Sequence, residues 1–308
     1  MIDNNLLDKF KKKLTQQELS SNTILGYVYD INYFFKWLRE VYNKNFSAQE
    51  LNKISIADLQ AYRQELVRVK RQKSAAVNRR IQSLKRFFAW AKQSKLIHTN
   101  PAQEIRFVRR MPQGQPTVLT KGEIHLLLKE AGQSPHGLAR RNYALLQLML
   151  QGGLRIGEVV RLQFRDVDLN ERSGKVRIVE GKGLKEREVP LNATARRALN
   201  MYLKTRKDLN SDDYIFISKR KGKPTIRALQ LIVHGLAERA KITRINVTPH
   251  TLRHTFAANY LKSNPSGLIE LATLLGHDSL NTTAVYTKAS KEKLAEGIEN
   301  IEINIYDE

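Results

Sequence analysis

Four short segments of the chain carry side chains whose types suit chemistry at a phosphate. They read GLRIGEVVRL (153–162), EGKGLKEREVPL (180–191), TPHTLRHTFA (248–257) and LLGHDSLNTTAVYT (274–287). Without a metal, breaking a phosphodiester requires a nucleophile, an acid for the leaving alkoxide, and fixed cations that neutralise charge on the phosphoryl oxygens. Each segment alone is a weak signal, because a single arginine or tyrosine is usually structural, but together they supply all three requirements.

The segment around His250 predicts a helix whose first turn suits an anion. Thr248 is a good N-cap and Pro249 fits the first helical position. His250 and Arg253 then share one face of the first turn, where free backbone N–H groups favour a phosphate. A metal site at His250 and His254 is the competing interpretation, but HTLRH lacks the glutamate of an HExxH motif. We therefore expect His254 to pack or hydrogen-bond internally.

The segment around His277 predicts the end of one helix and the start of another. Gly276 ends an apolar stretch, His277 follows it in the turn, and Ser279 can cap the next helix. Tyr286 comes nine residues after His277. The alternative is a surface histidine and a core tyrosine with no role in chemistry.

Composition narrows the class of protein. The 308 residues carry a formal net charge of +23, which points to an anionic polymer as partner rather than to a basic surface kept for solubility. There is no cysteine, so no disulfide, thiolate nucleophile or Cys-ligated metal is expected. The N-terminus lacks the apolar core of a signal peptide and no run of 18 apolar residues occurs, so we expect a cytoplasmic protein with no membrane association.

The first part of the chain predicts a small helical domain over residues 1–108. Residues 1–110 hold 22 Lys+Arg against 9 Asp+Glu. Apolar spacing predicts helices over 22–38, over 53–66 with a cap near Ser55, and over 74–93 with Ser74 as the N-cap.

The third of these helices combines an apolar stripe with a basic remainder. The stripe consists of Val77, Ile81, Leu84, Phe88 and Ala91. The basic side chains lie largely off it and are the candidate DNA contacts, namely Arg79, Arg80, Lys85, Arg86 and Lys92. A helix of this kind can dock on its own domain and meet DNA phosphates. An ordinary solvated helix face is the alternative.

The second part of the chain predicts a linker, a domain of mixed structure and a tail. Two prolines and a glycine mark the linker at 109–118, and 119–290 forms the second domain. That domain opens with a capped helix from Thr120 to about residue 131, followed by one over 140–150 that stops at Gly152 and Gly153. GKVRIVE and REVPL predict a small sheet, and the rest is helical.

At this point the ordered set Arg, Lys, His-x-x-Arg, Leu-Gly-His and Tyr resembles the tyrosine recombinase or phage integrase family, which includes the bacterial Xer proteins. The resemblance covers nearly the whole chain, and no catalytic motif position departs from the pattern. It implies a mainly helical protein with a small β-sheet. It also implies two domains, an all-helical SAM-like core-binding domain and an α+β catalytic domain.

The resemblance assigns four residues to the scissile phosphate. Arg155 and Arg253 match the two arginines that clamp the non-bridging oxygens, for which a planar guanidinium is well suited. Glu158 matches the acidic residue that orients the first arginine. His277 matches the histidine that donates a hydrogen bond to the phosphate.

The same resemblance assigns the nucleophile and the proton carriers. Tyr286 matches the nucleophile, which leaves a 3′-phosphotyrosine and a free 5′ hydroxyl. Lys182 matches the lysine that protonates the departing 5′ oxygen, with Lys185 as the nearby alternative. His250 matches the histidine that assists proton transfer from the tyrosine. No metal or other cofactor is implied.

The resemblance also implies partners. They are double-stranded DNA recombination sites, a tetrameric synapse on DNA with a Holliday-junction intermediate, and in some members a second recombinase or accessory protein. The tail at 291–308 carries two basic and six acidic residues, which suits docking into a neighbouring subunit better than contact with DNA. Its apolar positions are Leu294, Ile298, Ile301, Ile303 and Ile305. Folding back onto its own subunit is the alternative.

Three other functions stay open at this point. They are a DNA-binding protein without catalysis, a type IB topoisomerase, and a metal-dependent nuclease built on His250 and His254. The complete catalytic set argues against the first, and the basic helical domain with the Leu-Gly-His motif against the second. The third lacks a carboxylate cluster. Neither the target DNA nor the biological task, whether dimer resolution, integration and excision, or inversion, can be inferred from the sequence.

Overall fold

The computed structural model describes residues 4–43, 48–109, 116–135, 137–180, 185–206, 208–218, 222–277 and 283–286. The chain forms two compact units, Met1–Gln113 and Gly114–Glu308. The division falls inside the expected linker, most of which lies outside the described residues. Ser279 and the tail at 291–308 also lie outside them, so the expectations for both stay predictions.

All regular secondary structure in the described residues of the first unit is helical. Its α-helices are α1 (Asn4–Gln16), α2 (Ser21–Tyr42), α3 (Ile56–Gln64) and α4 (Ser74–Gln93). A 3-10 turn, Ala48–Lys53, precedes α3, and a π-helical turn, Glu65–Val69, follows it. The all-helical prediction for this part of the chain is confirmed.

Helix starts in the first unit follow the capping rules in one case and depart from them in another. Ser55 caps α3, which confirms the predicted cap, and Asp58 returns a hydrogen bond from its side chain to the Ser55 backbone N–H. The prediction that Ser74 caps α4 was wrong. Lys73, with extended backbone, occupies the cap position without a side-chain bond, and Ser74 is the first helical residue. The helix therefore starts one residue earlier than a cap at Ser74 would have set it.

The core of the first unit forms where α4 packs against α2. All five residues of the predicted apolar stripe on α4 are 0% exposed. Phe34 and Phe35 of α2 meet Phe88 and Phe87 of α4 with ring centroids 6.3 and 5.8 Å apart. Burying these large rings provides the main driving force for folding a small unit of this kind.

The second unit surrounds a small sheet with helices. Its α-helices are α5 (Lys121–Gly132), α6 (Ala139–Gly152), α7 (Ile156–Arg161), α8 (Ala193–Leu203), α9 (Ile226–Arg239), α10 (Pro249–Ser263) and α11 (Leu268–Leu275). Two 3-10 turns, Phe164–Asp166 and Ala284–Tyr286, complete the described helical structure. Thr120 with Glu123 caps α5 and Gly153 ends α6, both as predicted.

The sheet has the antiparallel order β1-β2-β3. Its strands are β1 (Val167–Leu169), β2 (Gly174–Glu180) and β3 (Lys185–Pro190). Strands β2 and β3 were predicted, whereas the three-residue β1 was not. Val176 of β2 pairs with Val189 of β3, and both are buried. A mainly helical chain with a small sheet confirms the predicted fold class.

None of the described helices combines the length and the apolar character needed to cross a membrane.

Candidate active site

Arg155 lies in the short connection between α6 and α7. Gly153 ends α6 with φ of 62°, a left-handed conformation that favours glycine. Arg155 then occupies the N-cap position of α7 with extended backbone. Its backbone N–H donates to Glu158 Oε2 at 2.8 Å, and its Nη1 donates to Glu158 Oε1 at 3.0 Å. Since Glu158 is only 3% exposed, its carboxylate is a fixed support for this guanidinium.

Arg253 is the most deeply buried of the site's cations within the described residues. Thr248 caps α10 and Pro249 opens it, as predicted, which places Arg253 in the second helical turn. The side chain is 6% exposed. Its Nη1 donates to the Gly153 carbonyl at 2.7 Å, and its Nη2 donates to the Leu275 carbonyl at 2.6 Å. Arg253 therefore connects the C-terminal ends of α6 and α11.

The pKa of Arg253 is lowered to about 10, first by burial and then by the neighbouring charge of Arg155. A pKa of that size still leaves the guanidinium protonated near neutral pH. Glu158 partly offsets the repulsion between the two arginines. The site therefore concentrates positive charge, as a pocket for a phosphate requires.

His277 stands at the end of α11, directly beside Arg253. Gly276 ends the helix with φ of 61°, as predicted, and the His277 N–H donates to the Ala272 carbonyl at 3.0 Å. The imidazole Nε2 lies 3.1 Å from Arg253 Nη2, and Nδ1 lies 2.8 Å from Thr283 Oγ1. Burial and then the charges of Arg253 and Arg155 lower the His277 pKa to about 4.

The tautomer of His277 follows from these contacts. A neutral imidazole has one donor and one acceptor nitrogen, and a guanidinium can only donate. Nε2 must therefore accept from Arg253, and Nδ1–H donates to Thr283. The expected role of His277 as a donor to phosphate consequently requires a proton or a change of tautomer once the phosphate is present.

Tyr286 occupies the 3-10 turn Ala284–Tyr286 and is half-buried. Its ring packs on the apolar cluster that includes Leu271 and Leu275 of α11. Burial raises the pKa of the phenol, and the charge of Arg253 partly opposes that shift. The neutral phenol therefore needs a base before it can act as a nucleophile.

The hydroxyl of Tyr286 forms a hydrogen bond with Nδ1 of His254. We expected His254 to make an internal hydrogen bond, but not with the candidate nucleophile. Burial lowers the His254 pKa first, and the charges of His250 and Arg253 contribute. A neutral imidazole in this position can accept the phenolic proton. His250, one helical turn earlier, is exposed, so the two histidines differ in access to solvent.

The two candidate proton donors are Lys182 and Lys185. Lys182 belongs to 181–184, which lie outside the described residues, and Lys185 opens β3. Their assignment as proton donor stays a prediction.

Arg187 is a site neighbour that was missed in the sequence. Its Nη2 donates to Glu158 Oε2 at 2.8 Å, and its Nε donates to the Leu274 carbonyl at 2.9 Å. A signal was present, since alternate residues of a strand share one face and Arg187 falls on the face of the buried Val189. An arginine on the apolar face of a strand needs a buried partner.

Two of the basic residues on α4 are engaged by a buried carboxylate. Asp30 of α2 is 0% exposed and accepts from Arg79 Nη1 at 2.6 Å and Nη2 at 2.8 Å. Arg80 is 8% exposed, and its guanidinium lies 4.0 Å from the ring centroid of Tyr33. The expectation that Arg80 faces DNA is therefore corrected, because burial and an aromatic partner hold it inside the unit.

The other three basic residues of α4 are more accessible than Arg80. Lys85 Nζ donates to the Gln103 carbonyl at 3.1 Å, and Arg86 Nη2 donates to Gln17 Oε1 at 2.6 Å. Lys92 is exposed near the end of the helix. Contacts of these residues and of Arg79 with DNA stay predictions.

A metal site at His250 and His254 would need further ligands. Within the parts of the chain that the structure describes, no three His, Asp or Glu side chains form a group that could hold a metal ion. Nδ1 of His254 is engaged by the phenol instead.

Known proteins resemble the chain in both units. The model of the Phage integrase family matches residues 117–293, and the model of the N-terminal SAM-like domain of phage integrases matches residues 7–95. Tyrosine recombinase XerD of Ralstonia nicotianae is 31% identical over 281 residues, which cover 90% of this chain and 86% of the relative. Tyrosine recombinase XerC of Bacillus subtilis is 31% identical over 286 residues, which cover 91% and 90%.

A solved structure shares the fold. XerH site-specific recombinase, bound to its difH substrate in a pre-cleavage complex, superposes with a TM-score of 0.72 at 23% identity, covering 96% of this chain and 84% of that one. The matched family model spans more than half of the chain and includes every candidate catalytic residue. The chain belongs to the phage integrase family, and it is a site-specific tyrosine recombinase that cleaves and rejoins DNA strands.

Proposed function

We propose that Tyr286 attacks a scissile phosphate held by Arg155 and Arg253, and that recombination proceeds through a 3′-phosphotyrosine intermediate. The observation that carries the proposal is that the tyrosine hydroxyl bonds His254, the residue next to Arg253 on α10. The nucleophile from the 3-10 turn thus meets an imidazole acceptor on α10, next in sequence to a buried guanidinium. The Glu158 carboxylate fixes the second guanidinium from α7.

In the cleavage step the phenolic oxygen of Tyr286 forms a bond to phosphorus while the bond from phosphorus to the 5′ oxygen breaks. The phenolic proton passes to a histidine, and the departing oxygen takes a proton from Lys182, the family's general acid. Charge that develops on the non-bridging oxygens is neutralised by the two arginines. The reverse attack by a 5′ hydroxyl restores the diester, so religation needs no ATP.

The two histidines of α10 have different roles in this proposal. His254 bonds the phenol in the arrangement described, and the exposed His250 lies one turn closer to the N-terminus of the helix. We propose that His254 holds the Tyr286 hydroxyl before DNA binds. Once DNA is bound, His250 assists the transfer of the phenolic proton. His277 donates to the phosphate after the anion has drawn Arg253 away from its Nε2.

Double-stranded recombination sites are the proposed substrate. XerH was crystallised on its difH substrate, and a lambda integrase dimer was crystallised on a core site. By analogy we propose a tetramer on two sites, with two successive strand exchanges through a Holliday junction. The acidic tail at 291–308 would dock into a neighbouring subunit.

The first prediction concerns Tyr286→Phe. The variant keeps the ring but lacks the nucleophilic oxygen, so it should bind DNA normally and form no covalent adduct. A duplex with two inverted half-sites is first selected from a randomised pool by binding to this variant. A nick beside the cleavage point then traps the wild-type adduct, which denaturing gel electrophoresis detects.

An adduct formed by Tyr286→Phe would overturn the assignment of the nucleophile. The same assay separates the alternatives. Loss of wild-type cleavage in excess EDTA would favour a metal-dependent nuclease. Relaxation of supercoiled plasmid lacking the selected site would favour a topoisomerase.

A further inference from the structure

We propose that Arg187 is a positioning residue for cleavage, which holds Arg155 and the His277 turn in register with the scissile phosphate. The inference rests on the proposed function and deepens it, because it assigns a residue outside the predicted catalytic set. Arg187 acts through its neighbours and is not itself assigned a contact with the phosphate.

Arg187 joins three separate elements. It projects from β3, donates to Glu158 of α7 at 2.8 Å and donates to the Leu274 carbonyl of α11 at 2.9 Å. Only 11% of its side chain is exposed. A planar guanidinium presents donors in fixed directions, so the two bonds set the distance between α7 and α11.

The contacts close into a ring around Gly276. Arg155 Nη2 donates to the Gly276 carbonyl at 2.6 Å, and Arg155 Nη1 donates to Glu158. On the other side, the guanidinium of Arg187 lies so close to Gly276 that an added Cβ would stand 2.8 Å from its Nη1. Both arginines therefore fix the backbone directly before His277.

Glu158 accepts from both arginines at the centre of this ring. Its side chain is 1% exposed, and its Oε2 accepts from the Arg155 backbone as well as from Arg187. Removing a partner from a buried carboxylate leaves desolvated charge and frees the remaining partner to shift. Loss of Arg187 should thus displace Arg155 although Arg155 itself is unchanged.

The charge of Arg187 also reaches the site. It contributes to the lowered pKa of His277, after burial and the charges of Arg253 and Arg155. The same strands carry an ion pair of a different kind, Lys175 with Glu188 at 2.7 Å, whose side chains are 46% and 56% exposed. That exposed pair is a matched control, because it ties β2 to β3 without touching the site.

The test compares Arg187→Gln, Arg187→Lys and the control Lys175→Gln in the full chain. Single-turnover cleavage of the nicked duplex, DNA affinity and thermal stability are measured for each. A misplacement of about 1 Å costs on the order of 100-fold in rate, so we expect Arg187→Gln to cleave about 10- to 100-fold more slowly. Arg187→Lys can make only one of the two bonds, so its cleavage rate should lie between those of Arg187→Gln and wild type. Lys175→Gln should cleave like wild type.

Two altered substrates separate positioning from general destabilisation. A methylphosphonate at the scissile position removes one negative oxygen, so the clamp has less charge to neutralise and the defect of Arg187→Gln should shrink. A sulfur in place of the 5′ bridging oxygen leaves without an acid. That substrate should restore cleavage by Lys182→Ala but leave the cleavage defect of Arg187→Gln unchanged.

The three substrates are the ordinary nicked duplex, the methylphosphonate and the sulfur substrate. If Arg187→Gln lost the same factor in cleavage rate on all three, the proposal would be overturned in favour of a purely structural role. Rescue of Arg187→Gln by the sulfur substrate would overturn it in favour of a role through the proton donor. An unchanged rate for both variants would also reject it. If Arg187→Gln does not fold, the same criteria apply to Arg187→Lys. Failure of the proposed function looks different, since wild type would then form no Tyr286 adduct.

Discussion

Arg253 supports the site through contacts that are distant in sequence. Its Nη1 reaches Gly153 and its Nη2 reaches Leu275 and His277. The guanidinium thus holds the His277 imidazole as a hydrogen-bond acceptor. Burial first, and then the charge of Arg253, lower the pKa of this imidazole to about 4. A phosphate arriving beside it would favour the protonated imidazole, because a nearby negative charge raises a histidine pKa.

The residue-scale prediction concerns pH and His277. The folded chain holds this histidine neutral down to about pH 4, whereas the unfolded chain protonates it near its ordinary pKa of 6.5. The unfolded state therefore binds more protons in this window, so stability is fully present above pH 6.5 and falls as the pH drops towards 4. Thermal unfolding at pH 7.5 and 5.0 should show a smaller drop for His277→Gln than for wild type.

The matched control is His234→Gln, which removes a histidine whose side chain is 54% exposed on α9. It should keep the wild-type difference between the two pH values. If His277→Gln lost stability on acidification as steeply as wild type, the lowered pKa would not contribute.

At the scale of elements, the site depends on how three helix ends are brought together. The C-terminal end of α6, the start of α7 and the C-terminal end of α11 surround α10, which carries Arg253 and His254. Gly153 permits this approach, since its backbone is left-handed and an added Cβ would lie 2.3 Å from Phe256 Cδ1. A side chain there would force α6 and α10 apart.

The element-scale prediction is that Gly153→Ala impairs both stability and cleavage. Overpacking against Phe256 and a left-handed alanine should together cost about 1–3 kcal/mol of unfolding free energy. The shift also displaces the carbonyl that accepts from Arg253, so cleavage should fall further than the folded fraction. Denaturant unfolding and the trapping assay measure the two effects.

Gly132→Ala is the control for this substitution. Gly132 is the last residue of α5, and nothing lies within 4 Å of an added Cβ. It should fold and cleave like wild type. Equal stability of the two variants would contradict the packing argument.

At the scale of the whole molecule, the net charge is +23. Some of the basic side chains are available to bind DNA, and others form ion pairs within the protein. Among the basic residues of α4, Arg79 and Arg80 form ion pairs with the buried Asp30 of α2, whereas Lys92 is exposed. A count of basic residues therefore overstates the number that can meet phosphates. Counterion release still makes DNA binding steeply dependent on salt.

The whole-molecule prediction separates the two kinds of cation. With on the order of six to ten phosphate contacts, affinity should fall about 10³- to 10⁵-fold between 50 and 200 mM salt. Lys92→Ala should reduce the logarithmic salt slope by about 1 and leave thermal stability unchanged. Arg80→Ala should instead lower the melting temperature, because it opens a cavity beside Tyr33 and removes a partner of Asp30.

Binding titrations over a salt series and thermal unfolding test both variants. A salt slope that falls for Arg80→Ala but not for Lys92→Ala would reverse the assignment. A flat salt response of wild type would reject an electrostatic DNA surface.

The sequence by itself determined the features whose interactions close within a few residues. The capping boxes at Ser55 and Thr120, the start of α10 at Thr248, and the glycine stops at Gly153 and Gly276 all follow from local backbone chemistry. The exception, Ser74, shows the limit of that reasoning, since a serine near a helix start need not be its cap. The order of the motifs was sufficient to identify the family.

Only the tertiary structure decided which side chains meet. The bond from Arg253 to Gly153 spans 100 positions, and the bond from Tyr286 to His254 spans 32. The burial of Arg80 and the position of Arg187 between α7 and α11 likewise depend on how packed elements are rotated and spaced. Long-range packing sets those distances, and it depends on the volumes of many core side chains at once, so no short motif encodes them.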